Sequence, residues 1–370
     1  MKIINGVYTS AKIFTDTIED YALSQIQMLC DNEAFAGSIV RVMPDVHPGK
    51  VGTIGFTATV RNRILPEVVG IDIGCGVTLA LLKQKKTEFQ KLDAVIRERI
   101  PTGSAIRKKI HRFAEELPLE QLRCFRQIQK ERVQASLGTL GSGNHFIELD
   151  RGMEDSLYVV IHSGSRHLGK EVTEYYLREG QRCLKEKGEQ LPYEMTYLEE
   201  RLMEDYLHDL QIVQEFALVN REAILDELAR GMKWKIEKTV SSSHNYVEIS
   251  GDSRILRKGA VSARKGEDII LPINMRDGVL LGKGLGNADW NESAPHGAGR
   301  ILKREDVKKH YTVSAFRQVM KGVYSSCIGK ETLNEAPFAY RGMEEIMNAV
   351  ADTMEITEIL KPVYNYKAGR

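Results

Sequence analysis

Short apolar runs separated by glycine-rich turns recur along the chain, and they predict β-strands. The run LYVVIHSGS at 157–165 predicts a buried strand that ends in a glycine turn, which places His162 at the end of that strand. Four other segments have the apolar character of strands: 51–60, 77–83, 253–263 and 268–272. The first two of these predict strands on either side of the run GIDIGCG at 70–76.

Charged sequences with a helical repeat fill most of the regions between these strands. The largest covers 171–234 and is broken at Pro192. Further helices are predicted over 86–100, 112–135, 304–320 and 342–354. Runs rich in histidine and glycine lie on both sides of the large helical block. This arrangement favours one α+β domain over residues 1–370, built around a single site, over two separate domains.

Composition excludes several classes of protein. A chain of 370 residues with 42% hydrophobic and 28% charged residues is ordinary for a soluble globular protein. The net charge of +1 gives no global basis for nucleic-acid binding, so any basic surface must be local. No apolar run approaches the roughly 20 residues of a membrane helix, and the first residues lack a signal-peptide pattern. Because the five cysteines have no framework spacing, we expect a reduced, cytoplasmic setting without a membrane partner.

Five histidines, one cysteine and several aspartates are concentrated in six glycine-rich runs. Glycine permits tight turns and a close approach of the backbone to a ligand. The runs are MPDVHPGK (43–50), GIDIGCG (70–76), GTLGSGNHFIE (138–148), VIHSGSR (160–166), SSSHNY (241–246) and APHGAGR (294–300). This concentration predicts an enzyme with a metal centre and a phosphate-bearing substrate.

Asp72 and Cys75 form an oxygen and sulfur pair separated by one turn. A thiolate can bridge two divalent ions, and a carboxylate three residues away can reach one of them. A single cysteine is more often a buried structural residue, but the glycines on both sides of Cys75 favour a metal site. His145, His162 and His244 add three imidazoles, which gives enough ligands for two ions. Such a mixed set suits Zn, Mn, Fe or Co and disfavours Mg or Ca.

His296 lies in a different setting, within the run PHGAGR. Gly297 and Gly299 let backbone amides approach a phosphate, and Arg300 adds a positive charge. A histidine placed in this way is either a nucleophile at phosphorus or a residue that caps a loop. The run GTLGSGNH lacks the Gly-Lys-Ser/Thr ending of a P-loop, which excludes a P-loop NTPase. Further candidate phosphate contacts are Arg166, Lys258, Arg264 and Lys265.

Several motifs, taken in order, resemble the RtcB family of RNA ligases over about 43–367. They are GIDIGCG, GTLGSGNHFIE, HSGSR, the histidine and asparagine of SHNY, RKGAVSAR and HGAGR. The resemblance implies a single-domain α+β fold peculiar to the family, with a central metal site. It also implies a ligase that uses GTP and two Mn²⁺ ions. Such a ligase joins an RNA 3′-phosphate or 2′,3′-cyclic phosphate to a 5′-hydroxyl. Because a net charge of +1 offers no extended basic face, we expect a nicked, structured RNA whose ends are already held together, such as damaged tRNA or rRNA.

The resemblance implies a role for individual residues as well. His296 matches the histidine that becomes guanylylated, and Cys75 matches the thiolate that bridges the two ions. The implied metal ligands are Asp72, Cys75, His145, His162 and His244. The implied GTP contacts are Asn144, His145, Glu148, His244, Asn245, Pro272, Asn274, Met275, His296, Gly297, Ala298, Gly299, Tyr340 and Lys367.

The sequence departs from the family pattern at several positions. The loop 272–276 reads PINMR where PGSMG is common, so Asn274 replaces a serine, and Val279 replaces a second serine. His167 follows HSGSR where glycine is usual, and the run before HGAGR lacks the usual cysteine. These departures are typical of a divergent bacterial paralogue group. Some of its members resemble RNA-repair enzymes with a release-factor-like partner, which favours repair and an activating protein partner.

Two other functions use part of the same pattern. A metal-dependent phosphoesterase or nuclease would use the same ligands with water as its nucleophile, and would need neither His296 nor GTP. A non-catalytic RNA-binding paralogue would need no ligand set at all. Dependence of the activity on a nucleotide separates the ligase from both.

Overall fold

Two large β-sheets and two long helices organise the computed structural model, which describes residues 1–368. The strands are β1 (Lys2–Asn5), β2 (Ser10–Ile13), β3 (Val40–Pro48), β4 (Thr53–Thr59), β5 (Arg63–Ile64), β6 (Gly76–Leu82), β7 (Phe146–Arg151), β8 (Leu157–Ser163), β9 (Leu198–Glu199), β10 (Ile236–Ser243), β11 (Asn245–Ser250), β12 (Ser253–Lys258), β13 (Ala260–Ser262), β14 (Asp268–Asn274), β15 (Gly278–Gly284), β16 (Ser293–Pro295) and β17 (Met354–Lys367). The helices are α1 (Asp20–Cys30), α2 (Pro66–Val69), α3 (Phe89–Arg99), α4 (Lys130–Ser136), α5 (Arg166–Glu186), α6 (Glu200–Met232), α7 (Arg304–His310), α8 (Val313–Val319) and α9 (Met343–Ala349).

The two sheets differ in how their strands follow one another. The six-stranded sheet has the order β1-β2-β3-β4-β12-β11, and its β2–β3 pair is parallel. The seven-stranded sheet has the order β10-β6-β8-β7-β17-β15-β14, and each neighbouring pair is antiparallel. Sheets of mainly antiparallel strands with separate helices define an α+β fold, as the sequence predicted.

Strand β8 forms the centre of the molecule because both of its faces are buried. Val159 and Ile161 pack in one apolar cluster with Ile224 and Leu228 of α6, and Val160 packs in a second cluster on the opposite face. A strand that is buried on both sides reads as a continuous apolar run, which is why its prediction from the sequence was reliable. None of the helices within residues 1–368 has both the length and the apolar character of a bilayer-crossing segment.

The register of β6, β8 and β7 brings three chemical runs to one edge of the sheet. His162, near the end of β8, lies opposite Val77 near the start of β6 and opposite Phe146 at the start of β7. In antiparallel neighbours the end of one strand adjoins the start of the next. Cys75 and His145, which directly precede β6 and β7, therefore lie beside His162.

Most of the predicted elements are confirmed, and the differences have physical causes. The segment 112–135 is mainly 3₁₀ turns, and only α4 at its end is α-helical, because buried Asp209 binds the backbone N–H groups of Arg123 and Cys124. The segment 253–263 divides at Gly259 into two strands of different sheets. The segment 304–320 divides into α7 and α8, because the Thr312 hydroxyl caps the start of α8.

The end of the chain is a larger difference. The segment KPVYNYKAGR shows no clear strand pattern in the sequence, but its first seven residues complete β17. This strand of 14 residues pairs with β7 on one side and with β15 on the other. Its register shifts next to Pro362, which has no backbone N–H to donate. The shift and the charged residues of the strand conceal its alternation in the sequence.

The loop before β7 and the turn after β8 are held together by Asn220 of α6. Its Oδ1 accepts from the N–H groups of Gly138 (2.8 Å) and Thr139 (3.1 Å), and its Nδ2 donates to the Gly164 carbonyl (3.1 Å). The isosteric change Asn220→Leu leaves these buried groups unpaired. We expect the free energy of unfolding in urea to fall by about 3 kcal/mol.

The control for this prediction is Glu215→Leu, at an exposed position on the same helix. A change at such a position alters stability by about 0.5 kcal/mol or less. Equal effects of the two variants would contradict the role assigned to Asn220.

Candidate active site

Four side chains converge in the space at the edge of β6, β8 and β7. The Cys75 Sγ lies 3.3 Å from His162 Nε2 and 3.4 Å from His145 Nε2. The His162 Nε2 also lies 3.0 Å from the Nε2 of His244, which is contributed by the short link between β10 and β11. All four residues are buried.

Asp72 completes the cluster from the GIDIGCG turn. Its Oδ2 lies 3.0 Å from the Nε2 of His145. The potential ligand atoms form two groups, Asp72/Cys75/His145 and Cys75/His162/His244, and within each group they lie within 4.8 Å of one another. Cys75 belongs to both groups. The structure therefore brings together all five residues that the sequence predicted as metal ligands, and the thiol has the shared position.

The backbone fixes which nitrogen of two imidazoles faces the cluster. The Nδ1 of His145 donates to the Leu140 carbonyl (2.8 Å), and the Nδ1 of His162 donates to the Asn144 carbonyl (3.0 Å). Both rings therefore direct an Nε2 lone pair into the cluster. Metal-binding histidines in proteins are oriented in this way by their second nitrogen. The Nδ1 of His244 is buried and has no hydrogen-bond partner among the described residues.

Two glycines of the motifs allow the close approach of polar groups. A Cβ on Gly164 would lie 2.0 Å from Oδ1 of Asp72, so a larger residue there would displace the carboxylate. A Cβ on Gly141, where φ is +88°, would lie 2.1 Å from the guanidinium of Arg166. The close contacts with Asp72 and Arg166 therefore explain why glycine occupies position 164 in HSGSR and position 141 in GTLGSGNH.

The electrostatic state of the cluster is suited to cations. Burial lowers the pKa of His162 and of His244 well below the usual range, so both imidazoles keep a free lone pair at neutral pH. Burial opposes ionisation of Asp72, but the adjacent His145 lowers the pKa of that carboxyl below its usual range. Burial and the Asp72 charge raise the pKa of the Cys75 thiol well above normal, and a bound metal ion reverses such a shift. The donor set therefore fits divalent cations.

A pocket opens beside the cluster. His162 and His244 contribute to its floor. The predicted GTP contacts that line it are Asn144, Glu148, His244, Pro272, Asn274, Met275, His296, Gly297, Ala298, Gly299, Tyr340 and Lys367. His145 and Asn245 do not line it. The side-chain oxygen of Asn245 accepts from the Gly259 N–H (2.9 Å) and thereby fixes the turn that carries His244.

His296 lies where the pocket meets the ligand cluster. Its ring centroid is 4.8 Å from that of His244, and its side chain is 16% exposed. Its Nδ1 donates to Oδ2 of the fully buried Asp45 over 2.7 Å. This hydrogen bond orients the ring and leaves Nε2 as the nitrogen with a free lone pair.

The pocket wall also contains two buried ionisable groups, those of Glu148 and Lys367. Glu148 accepts a hydrogen bond from the Asn365 amide, and burial raises the pKa of Glu148 to about 7. The ammonium of Lys367 is bound to Glu335 (3.3 Å), and burial with the nearby Arg304 lowers the pKa of Lys367 to about 7. An acceptor and a donor thus stand in the pocket wall.

The four candidate phosphate contacts from the sequence are differently placed. Lys258 is 7% exposed and donates to the Glu67 carbonyl, so it is not available at the surface. Arg166 donates to the Gly103 carbonyl (2.7 Å), and Arg264 pairs with Glu248. Lys265 is exposed. A second groove next to the pocket carries one exposed lysine, Lys303, whereas its Arg300 and Arg304 pair with Glu335. This groove is lined by Glu19, Tyr21, His47, Pro48, Arg300, Leu302, Lys303, Arg304 and Glu305.

Sequence reasoning missed several residues of the site. Asp45 and His47 lie in MPDVHPGK, one of the glycine-rich runs that indicate a functional site. The sequence alone assigns no function to either residue. The structure pairs Asp45 with His296 and places His47 in the pocket wall, where burial lowers its pKa to about 4. Asn365 and Arg304 also line the pocket. No local pattern distinguishes these two residues in the sequence.

The fold and the site together define an α+β protein with a cluster of histidine, cysteine and aspartate side chains beside a pocket. The family model described as tRNA-splicing ligase RtcB matches residues 31–123 and 114–368. The chain therefore belongs to the RtcB family.

Individual relatives agree with this assignment. The RNA-splicing ligase RtcB of Escherichia coli K12 is 31% identical over 363 residues, which cover 88% of each chain. The RNA-splicing ligase RtcB1 of a second Escherichia coli strain has the same identity and coverage. The tRNA-splicing ligase RtcB of Nanoarchaeum equitans is 25% identical and covers 97% of this chain and 94% of its own length.

The shared position of Cys75 predicts how its removal affects metal binding. Cys75→Ala deletes a ligand from both groups, so we expect the purified variant to lose most of its bound metal by elemental analysis. Cys124→Ala is the matched control, because Cys124 is equally buried but belongs to neither group. Unchanged metal content in Cys75→Ala would show that the thiol is only structural. Metal retention should also weaken in acid, but only below the usual pH range of histidine titration, because burial holds the pKa values of His162 and His244 well below it.

Proposed function

We propose that this protein is an RNA ligase that uses GTP and Mn²⁺. It joins an RNA 3′-phosphate or 2′,3′-cyclic phosphate to a 5′-hydroxyl through a guanylate carried on His296. Family membership and the names of the relatives support an RNA ligase. The observation that carries the chemistry is the Asp45–His296 hydrogen bond at the junction of the pocket and the ligand cluster.

His296 is the nucleophile of the first step. Its Nε2 lone pair attacks the α-phosphorus of GTP, the N–P bond forms, and the bond to the β-phosphate oxygen breaks so that pyrophosphate leaves. The ring becomes positively charged in this step. Asp45 accepts its Nδ1–H and stabilises that charge, as a buried carboxylate does in a catalytic triad. The same pocket is lined by Gly297, Gly299 and Arg300. The backbone of the two glycines and the positive charge of Arg300 are suited to binding the phosphates of GTP.

The ligand cluster is proposed to hold two Mn²⁺ ions through Asp72, Cys75, His145, His162 and His244. When bound, these ions supply positive charge to phosphate oxygens. The protein's own contribution is to fix the ligands. The Leu140 and Asn144 carbonyls orient two imidazoles, and Gly164 makes room for Asp72.

The pocket wall at Glu148 and Lys367 suits guanine. An ionised Glu148 accepts hydrogen bonds from N–H groups, and Lys367 donates to a carbonyl oxygen. Guanine carries both kinds of group on adjacent edges, whereas adenine has no carbonyl. The side chain of Asn274, which replaces a serine of the family pattern, is bound to Asp277 and to the backbone of its own turn. We therefore assign Asn274 to shaping the wall, and Glu148 with Lys367 to reading the base.

The RNA enters the reaction in two further steps. Before these steps, water attacks the phosphorus of a 2′,3′-cyclic phosphate end and the bond to the 2′-oxygen breaks, which leaves a 3′-phosphate and a 2′-hydroxyl. An oxygen of the 3′-phosphate then attacks the guanylate phosphorus and releases His296. The 5′-hydroxyl of the other fragment finally attacks the activated 3′-phosphate and displaces GMP. We propose that RNA phosphates contact the second groove next to the pocket through exposed Lys303. We propose nicked tRNA or rRNA as the substrate, repair as the role, one domain over residues 1–370, and a release-factor-like or activating protein as partner.

Covalent labelling tests the nucleophile. Incubation with α-labelled GTP and Mn²⁺ should label the wild-type protein, and His296→Ala should carry no label. Asp45→Asn should be labelled at least tenfold more slowly, because the amide cannot stabilise the charged ring as a carboxylate does. His310→Ala is the control, since His310 is exposed on α7. Label retained by His296→Ala would contradict the assignment.

The ends of the RNA test the polarity of joining. One nicked RNA carries 2′,3′-cyclic phosphate and 5′-hydroxyl ends, and its counterpart carries 3′-hydroxyl and 5′-phosphate ends. We expect GTP-dependent sealing of the first only. Sealing should weaken as salt rises, since phosphate contacts dominate such binding. Sealing of the second RNA alone would overturn the proposal, and cleavage without GTP would favour a phosphoesterase or nuclease.

A further inference from the structure

Asp150 is a fully buried carboxyl group that lacks a hydrogen-bond donor. It lies in the middle of the central sheet, on β7, and is 0% exposed. Neither of its oxygens has a donor within the described residues 1–368. Its cross-strand neighbours are Tyr158, whose hydroxyl is bound to Glu358, and Pro362, which has no N–H. A buried carboxylate without donors costs several kcal/mol, so the group is stable there only with a proton on it.

Glu148 is the group that can use that proton. It precedes Asp150 by two residues on the same strand, so both side chains project from the same face of β7. A protonated carboxyl offers one O–H donor, and an ionised carboxylate is acceptor-only. If both carboxyl groups were ionised, Glu148 and Asp150 would both be acceptors. A single proton shared by the pair supplies one donor and one acceptor, which can form a hydrogen bond. The Asn365 amide donates to Oε2 of the same Glu148.

The charges around the pair agree with one shared proton. Burial, and then the charge of Glu148, raise the pKa of Asp150 well above its usual range. Burial raises the pKa of Glu148 to about 7, against hydrogen bonds from Asn365 and Asp150 and the charge of Lys367 on β17. Lys367 in turn interacts with Arg304 of α7 and with Glu335. On β8, the titratable residue opposite Asp150 is Tyr158. Asp150 is thus the partner that keeps the proton, and Glu148 is the partner that ionises.

We propose that Asp150 is a positioning residue for the nucleobase: its carboxylic O–H donates to Glu148 and holds Glu148 as an ionised acceptor toward the pocket. This inference rests on the proposed binding of GTP. Asp150 does not line the pocket, whereas Glu148 does. The chain thus uses a buried acid as a neutral hydrogen-bond donor behind the residue that reads the base.

The test compares Asp150→Leu, which removes the donor at similar shape, with Asp150→Asn, which keeps a donor without charge. The probe is guanosine 5′-(α,β-methylene)triphosphate, which binds without transfer, titrated from pH 6 to pH 9 by calorimetry. In the wild type, affinity should rise on the acid side of the profile as Glu148 ionises, with an acid-side midpoint near its pKa of about 7, and should fall on the alkaline side as Lys367 loses its proton.

In Asp150→Leu the midpoint should move up by about one pH unit, and affinity at pH 7 should fall on the order of tenfold. Asp150→Asn should keep the wild-type midpoint. Asp155→Leu, at an exposed aspartate after the same strand, is the control and should leave the profile unchanged. A purely structural role would lower the melting temperature without moving the midpoint.

Two results would overturn the inference. One is an Asp150→Leu profile with the wild-type midpoint. The other is a lower midpoint in Asp150→Asn, because removal of a real negative charge beside Glu148 would ease its ionisation. If Asp150→Leu does not fold, the Asp150→Asn profile together with the infrared band of a protonated Asp150 decides.

An infrared measurement separates this inference from the proposed function. The difference spectrum of wild type minus Asp150→Asn should contain a carboxylic acid C=O band above pH 7, whether or not nucleotide binds. Absence of that band would overturn the inference alone. A folded wild-type protein that binds no guanine nucleotide at any pH would contradict the proposed function alone.

Discussion

The site depends on the hydrogen bonds that α6 makes to the loops beneath it. Arg221, fully buried, donates through Nη1 to the carbonyls of Gly74 (2.9 Å) and Ser163 (3.0 Å). Asn220, its neighbour, binds the loop before β7 and the turn after β8. One turn of α6 thus holds three segments of the site in place. These are the loop before β7, the turn after β8 and the GIDIGCG turn. Backbone groups that would otherwise be unpaired in the interior are satisfied there.

The same helix also balances the charge of the cluster. The guanidinium of Arg221 lies near enough to Cys75 and Asp72 to interact with both, while burial lowers the pKa of Arg221 to about 10. A buried cation behind an oxygen and a sulfur ligand favours their ionised forms. Cations bound in front of the cluster would then face ligands that are already held in place. Preorganisation of this kind, and not flexibility, is the main property of the site.

The reactive histidine is supported from the other sheet. Asp45 belongs to β3 of the six-stranded sheet, whereas the ligands Cys75, His145 and His162 stand at the edge of the seven-stranded sheet. The pocket therefore combines a ligand cluster on one sheet with a carboxylate–histidine pair anchored in the other. Neither sheet alone contains the complete arrangement. This division explains why the chemical runs are spread over most of the chain.

The sequence by itself determined the parts of this protein whose signals are local. Strand β8 was readable because it is apolar on both faces, and the glycine-rich runs identified Cys75, His145 and His296 because glycine and reactive residues occur together there. Only the tertiary structure decided the partners that come from distant segments. Asp45 pairs with His296, and β17 inserts beside β7, through contacts between distant segments of the chain. The burial of Asp150 without a hydrogen-bond donor likewise depends on the segments that surround it. A linear pattern records periodicity and turns, but it does not record which buried polar groups share a donor.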